Sequence, residues 1–220
     1  MATGTGRSFE SRSRHKHWSL CATLKDETTT LTETKKYEIL EALPTYGPMY
    51  IPVTENEEAF YSEGFAVRFY KLDGTNWVAN FKPGWTDLKI IYELKDTSNL
   101  LIIACGTCYL MNPEETKPIS VFGVGYSTVF KTEDGRLVLQ DQTDLTIVET
   151  NGNHWDTERI SWDGLKDLKL ENNIVTGLAY DPMNDADEWV NFTFDINVKT
   201  LTGGSYKIYE TINKPWWKVW

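Results

Sequence analysis

Three dipeptides constrain the architecture of this 220-residue chain more tightly than anything else in it: Asp73-Gly74, Asp134-Gly135 and Asn151-Gly152. Each sits beside short runs rich in β-branched and aromatic residues: FAVRFYKL and NWVANF around the first, YSTVFK and RLVLQ around the second, DLTIVET ahead of the third. Asp-Gly and Asn-Gly suit the left-handed central positions of a type I′ turn, so each reads as the tip of a β-hairpin. No convincing amphipathic helix of about twelve residues is present, and the chain is expected to be almost wholly β.

The strands recur in groups. Units beginning near Leu88, Tyr126 and Leu168 each read as strand, turn, strand, turn, strand, at a spacing of roughly 40 residues, the period of four-stranded propeller blades. The first runs LKIIYELK, NLLIIAC, CYLMN; the second YSTVFK, RLVLQDQ, DLTIVET; the third LKLEN, IVTGLAY, WVNFTFDIN, with LTGGSYKIY after it. A weaker internal repeat overlies them. DGTNWVANFKPGWTDLK from Asp73 and NGNHWDTERISWDGLKDLK from Asn151 share a turn glycine, a Trp three residues later (Trp77, Trp155), a second Trp (Trp85, Trp162) and then Asp-Leu-Lys. The fold expected is an all-β antiparallel meander with propeller-like repeats. A β-sandwich or barrel is the alternative, since it uses the same short strands and turns. There is room for about four blades, and closure of a ring stays open.

The stretch from HWDTERISWDGLKDLKLENNIVTGLAYDP to DEWVNFTFD resembles the propeller-like repeats of uncharacterised bacterial proteins, over about the last 150 residues. The resemblance implies architecture only, because no activity accompanies it. The chain departs from WD-type propellers in lacking a full Gly-His to Trp-Asp repeat.

Residues 1–36 read as a flexible basic tail, with seven Lys/Arg against four acids, and residues 37–220 as a single all-β domain. At the start of that domain, Pro44, Pro48 and Pro52 forbid a long helix or a central strand, so an irregular or edge segment is expected there. A chain of this length buries enough surface to hold a core without disulfides or metals. The net charge of −10 is concentrated after the tail, where 15 basic residues face 28 acidic ones. Phosphate binding needs a cationic footprint, so nucleic acid is not expected as a partner, whereas a basic protein is compatible. No apolar run reaches transmembrane length and the N-terminus lacks the apolar core of a secretory signal, so the expected location is the cytoplasm.

Cys105-Gly106-Thr107-Cys108 admits two readings, a dithiol redox site or a tight turn. A thioredoxin-like site needs a helix starting at the first Cys, and Pro113 and Pro118 cut short any helix after Cys108. The expectation is a type II′ hairpin with Gly106 and Thr107 at its centre and the cysteines opposite one another, within reach of a disulfide. Zinc would need more ligands than this pair supplies, with Cys21, His15 and His17 in the tail. His154, Asp156, Ser161 and Asp163 hold the residue types of a hydrolytic triad, but no G-x-S-x-G elbow exposes a nucleophile. DPMNDADE, residues 181–188, lacks the central glycine of an EF-hand loop and reads as a solvated acidic loop. No P-loop, G-x-G-x-x-G or H-E-x-x-H is present, and neither cofactor nor metal is expected.

The remaining feature is tryptophan. Trp77, Trp85, Trp155 and Trp162 either pack between sheets or form a rim of aromatic anchors, and Trp216, Trp217 and Trp220 in KPWWKVW either dock on the body or present a sticky peptide. The functional expectation is a non-catalytic protein-binding or scaffold module, compatible with an immunity-type role. The competing expectations are a hydrolase or lyase using His154 with nearby carboxylates, and a carbohydrate-binding module using the Trp rim.

Overall fold

A computed structural model of the chain describes residues 35–47, 49–183 and 187–206, and all but the last two residues of the tail, the last fourteen residues and residues 184–186 of the acidic DPMNDADE loop lie outside them. The described residues build sixteen strands in four sheets of four, in chain order, and no sheet closes on itself. The first sheet holds β1 (Tyr37–Ile39), β2 (Ile51–Val53), β3 (Phe65–Tyr70) and β4 (Asn76–Phe81) in the order β1-β3-β4-β2. The second is the meander β5 (Lys89–Glu93), β6 (Leu100–Ala104), β7 (Thr107–Met111) and β8 (Ser120–Phe122). The third is β9 (Thr128–Lys131), β10 (Leu137–Gln140), β11 (Leu145–Val148) and β12 (His154–Asp156), and the fourth β13 (Leu165–Glu171), β14 (Ile174–Asp181), β15 (Glu188–Asp195) and β16 (Thr200–Gly203).

Pairing is antiparallel throughout except between β2 and β4, which run parallel with Pro52 opposite Asn80. The proline-bearing strand is tolerated because it lies at an edge, where its missing N–H breaks no ladder on the outer side.

The alternation of side chains along each strand sets how the sheets stack. Successive residues point to opposite faces. On β6, Leu100, Ile102 and Ala104 join a core with Phe65, Val67, Phe69 and Phe81 of the first sheet, while Leu101 and Ile103 join another with Leu137, Leu139 and Val148 of the third. On β10 and β11, Val138 and Ile147 then face the fourth sheet, where Val175, Ala179, Phe192 and Phe194 meet them. Sheets two and three are therefore covered on both faces, and β6 reads as an unbroken apolar run. The fourth sheet is covered on one face only, and β14 alternates between exposed or half-buried and buried residues.

The three Asp-Gly and Asn-Gly tips are hairpins, but not of the type I′ expected. In each the flanking pair encloses three residues, as in Lys71 N–H to the Thr75 carbonyl (2.8 Å), Thr132 to Arg136 (2.9 Å) and Glu149 to Asn153 (2.7 Å). Only the glycine is left-handed, and the Asp or Asn side chain accepts the N–H two residues on, at 2.8 Å in the case of Asp73 and Thr75. That is a type I turn closed by a G1 bulge, in which the Asx hydrogen bond keeps the residue before glycine right-handed.

The Cys105 turn is also shifted by one residue. Ala104 pairs with Thr107 and Ile103 with Cys108, so the turn's centre is Cys105 (φ 51°) and Gly106 (φ 92°), not Gly106 and Thr107. The cysteines are not opposite one another. Both are free thiols, Cys105 half-buried at the tip and Cys108 buried between the second and third sheets.

Candidate functional site: a groove beside Trp85

The structure separates the four tryptophans that the repeat groups together. Trp77 is 7% exposed in the core, tilted against Phe69 at 4.9 Å, with its Nε1–H donated to the Pro113 carbonyl (3.1 Å). Trp155 is half-buried between the third and fourth sheets; it meets Phe194 and Lys199 and donates to Glu149 Oε1 (2.8 Å). Trp162 is half-buried beneath Arg159 and Tyr206. Trp85 alone of the four stands in solvent, 83% exposed. Trp216, Trp217 and Trp220 lie outside the described residues.

Trp85 is exposed on a loop that is firmly held. Between β4 and β5 the chain crosses from the first sheet to the second, and there Gly84 N–H reaches the Ala104 carbonyl (2.9 Å), Trp85 N–H that of Val124 (2.8 Å) and Thr86 N–H that of Cys105 (2.9 Å). The Thr86 hydroxyl adds a bond to the Tyr126 carbonyl at 2.6 Å. Glycine is required at position 84, since a Cβ there would sit 2.4 Å from the Val124 oxygen. A loop held in this way needs no backbone ordering when a ligand arrives.

A groove of about 400 Å³ opens beside it, with Pro83, Tyr109, Val121, Phe122 and Val124 supplying the apolar floor and Glu55 and Glu58 the polar rim. Tyr109 is anchored by donating to the Lys82 carbonyl at 2.8 Å, and burial, then the charge of Glu55, pushes its hydroxyl well above the usual phenol range. At the rim Lys82 pairs with Glu58 (3.2 Å) and Lys117 with Glu57 (2.6 Å), while Glu55 forms no ion pair among the described residues. The groove can therefore bury an apolar or aromatic group against the indole and present an unneutralised carboxylate beside it.

Within the triad-like cluster the only hydrogen bond among the described residues runs from the Asp163 backbone N–H to the Ser161 hydroxyl (3.2 Å). His154 is exposed and stacks on Phe122, ring centroids 3.7 Å apart. Asp156 accepts from the Thr146 hydroxyl (2.6 Å), buried Ser161 donates to the Tyr180 carbonyl (3.1 Å), and Asp163 accepts from Gln142 (2.6 Å). Among the described residues no hydrogen bond joins any two of the side chains of His154, Asp156 and Asp163, and no group of three or more His, Cys, Asp or Glu could hold a metal ion. No helix among them is long and apolar enough to cross a membrane, a statement that does not extend to strands.

Two further features went unread in the sequence. Tyr126, buried between the second and third sheets, shares a hydrogen bond with the Thr146 hydroxyl (2.8 Å). Nearby, burial and the charges of Asp141 and Asp156 raise the Asp144 carboxyl to about 6 against the opposing pull of Arg159. Glu55 and Glu58 had a signal that was available, the acidic run TENEEAF directly after β2. The chain matches no model of a known protein family and no curated protein sequence.

Proposed function

We propose that this chain is a non-catalytic protein-binding module of propeller-like repeats and that it docks its partner through the Trp85 groove. One observation carries the reading: a large aromatic side chain, 83% exposed, is held by a loop whose backbone is bonded to two other turns. Exposed tryptophan costs solubility and gains nothing for this core, whereas an indole on a firmly held backbone beside a groove is what interface anchors are made of. The propeller-like element rests on three successive four-strand meanders starting at Lys89, Thr128 and Leu165 and stacked face to face. The hydrolytic alternative draws no support from His154, which stacks on Phe122, or from Asp156, which accepts from Thr146.

The test places a photo-crosslinking benzoylphenylalanine at Val124, 43% exposed on the groove wall, in otherwise native chain. A discrete protein adduct in the native cell that disappears on Trp85→Ala is the expected result. Because position 85 faces solvent, that substitution should change stability by less than about 0.5 kcal/mol. An adduct indifferent to Trp85→Ala, or none beyond that formed from exposed Leu72, would sink the proposal. A carbohydrate ligand is the second reading, since the same bare indole face beside carboxylates also suits a sugar ring. Quenching of Trp85 fluorescence by a glycan panel would favour it.

A further inference from the structure

The two copies of the Trp repeat suggest what the groove is built to hold. Trp162 occupies the crossing between the third and fourth sheets as Trp85 occupies the crossing between the first and second. In the later copy the chain itself covers the indole. The Tyr206 ring lies 4.7 Å from that of Trp162 at 63°, and the Arg159 guanidinium sits 5.6 Å from Trp162 and 4.8 Å from Tyr206. Arg159 is pinned there by donating to the carbonyls of Ser161 (2.9 Å) and Trp162 (2.7 Å). The arrangement is a basic group and a second aromatic ring on one indole, held by cation–π and edge-to-face attraction.

In the earlier copy neither covering group is present among the described residues. The residue three before the tryptophan is Lys82 rather than Arg159, and its ammonium is drawn to Glu58. Among the described residues Trp85 meets neither an aromatic ring nor a cation. What the earlier copy has instead is an open groove and an acidic rim, with Glu55 exposed and, among the described residues, outside any ion pair.

Resting on the docking role assigned to Trp85, we infer that the groove's occupant is a peptide segment of a partner protein carrying a basic side chain next to an aromatic one. The aromatic ring takes the place over Trp85 that Tyr206 takes over Trp162. The basic group lies against the indole as Arg159 does and is neutralised by Glu55. Charge complementarity points the same way, since the whole chain carries −10 and such a segment is attracted over the Debye length.

The full chain is labelled with 5-fluorotryptophan, the Trp85 and Trp162 ¹⁹F resonances are assigned with Trp85→Phe and Trp162→Phe, and short capped peptides centred on Arg-Tyr, Glu-Tyr and Arg-Ala are titrated in. The Arg-Tyr peptide should shift the Trp85 resonance saturably and leave that of Trp162 in place, binding about tenfold more tightly than either comparison peptide. Glu55→Gln should shrink the advantage of Arg-Tyr over Glu-Tyr. Equal Trp85 shifts with Arg-Tyr and Glu-Tyr overturn the basic requirement while leaving the docking role standing. A Trp85-dependent crosslink from position 124 together with no peptide response overturns the inference alone. A response confined to the peptide KPWWKVW, the chain's own residues 214–220, replaces the foreign partner with this chain. Shifts at Trp85 with cellobiose or chitobiose and none with peptides overturn both.

Discussion

Replacing Gly84 by alanine separates two costs that are often merged when a glycine is substituted. Gly84 is not among the left-handed residues, so alanine can adopt its backbone conformation. The obstacle is contact, because the new Cβ would lie 2.4 Å from the Val124 oxygen and 2.6 Å from that of Cys105, both main-chain atoms. To make room the crossing loop must withdraw, giving up bonds such as Gly84 N–H to Ala104 and Trp85 N–H to Val124. At about 0.5–1.5 kcal/mol each, losing two costs about 1–3 kcal/mol. Gly74→Ala is the matched control. Position 74 has φ of +85° with nothing within 4 Å of a Cβ, so only the left-handed penalty applies, about 1 kcal/mol.

Urea unfolding of both variants gives the comparison, and with a slope of about 2–3 kcal/mol per molar the Gly84→Ala midpoint should fall by about 0.3–1.5 M. Native-state amide exchange supplies a second, local readout. Exchange at Trp85 and Thr86 should quicken in Gly84→Ala and stay unchanged in Gly74→Ala. If Gly84→Ala leaves the midpoint unchanged, or exchange at those two amides does not change, then the loop does not hold Trp85 in the way described.

Two further outcomes are expected. Iodoacetamide at pH 8 should label half-buried Cys105 in the native protein and spare Cys108 until denaturant is added, because burial pushes the Cys108 thiol well above the usual range; equal labelling by tandem mass spectrometry would contradict its burial. Asp144 should make stability fall as pH rises from about 4 to about 6: its carboxyl, raised to about 6 chiefly by burial, still holds in the folded state a proton already lost in the unfolded chain. Asp144→Asn should therefore add about 1 kcal/mol at pH 7, after allowance for partial solvent screening, and nothing at pH 4. An equal effect at both pH values would assign the gain to something other than ionisation.

Hairpin tips were legible in the sequence because turn chemistry is local. Asp73-Gly74, Asp134-Gly135 and Asn151-Gly152 all turn the chain where expected, and the strand groups anticipated near Leu88, Tyr126 and Leu168 correspond to sheets whose first strands begin at Lys89, Thr128 and Leu165. The turn classes were not legible, since they depend on where the flanking ladder stops. At Cys105 the ladder runs one residue further on the second strand than assumed, to Thr107, and that moves both thiols. The short outer strands β8 and β12, three residues each, fell below what periodicity can register.

The site was half legible. Four tryptophans in matching positions looked equivalent, and the local sequence sets Trp85 apart from Trp162 chiefly by Lys82 in the place of Arg159. What distinguishes it is what distant segments do to the other three: Pro113 accepts from Trp77, Phe194 and Lys199 approach Trp155, and Tyr206 covers Trp162. These are contacts between remote parts of the chain, which a linear pattern does not encode.

Because each sheet pairs only within itself and the four follow one another in the chain, synthesis delivers them one at a time. At about 5–20 residues per second a sheet takes seconds to emerge, while hairpins close in about 1–10 microseconds. Hydrogen bonding within a sheet is thus finished long before its neighbour exists. Side-chain cover is not. Once β8 is out, the second sheet shows Leu101, Ile103 and Leu110 to solvent or to a chaperone until β10 and β11 arrive to bury them. The nascent chain is prone to misassociate in that interval, and slowing translation between residues 122 and 148 should raise aggregation.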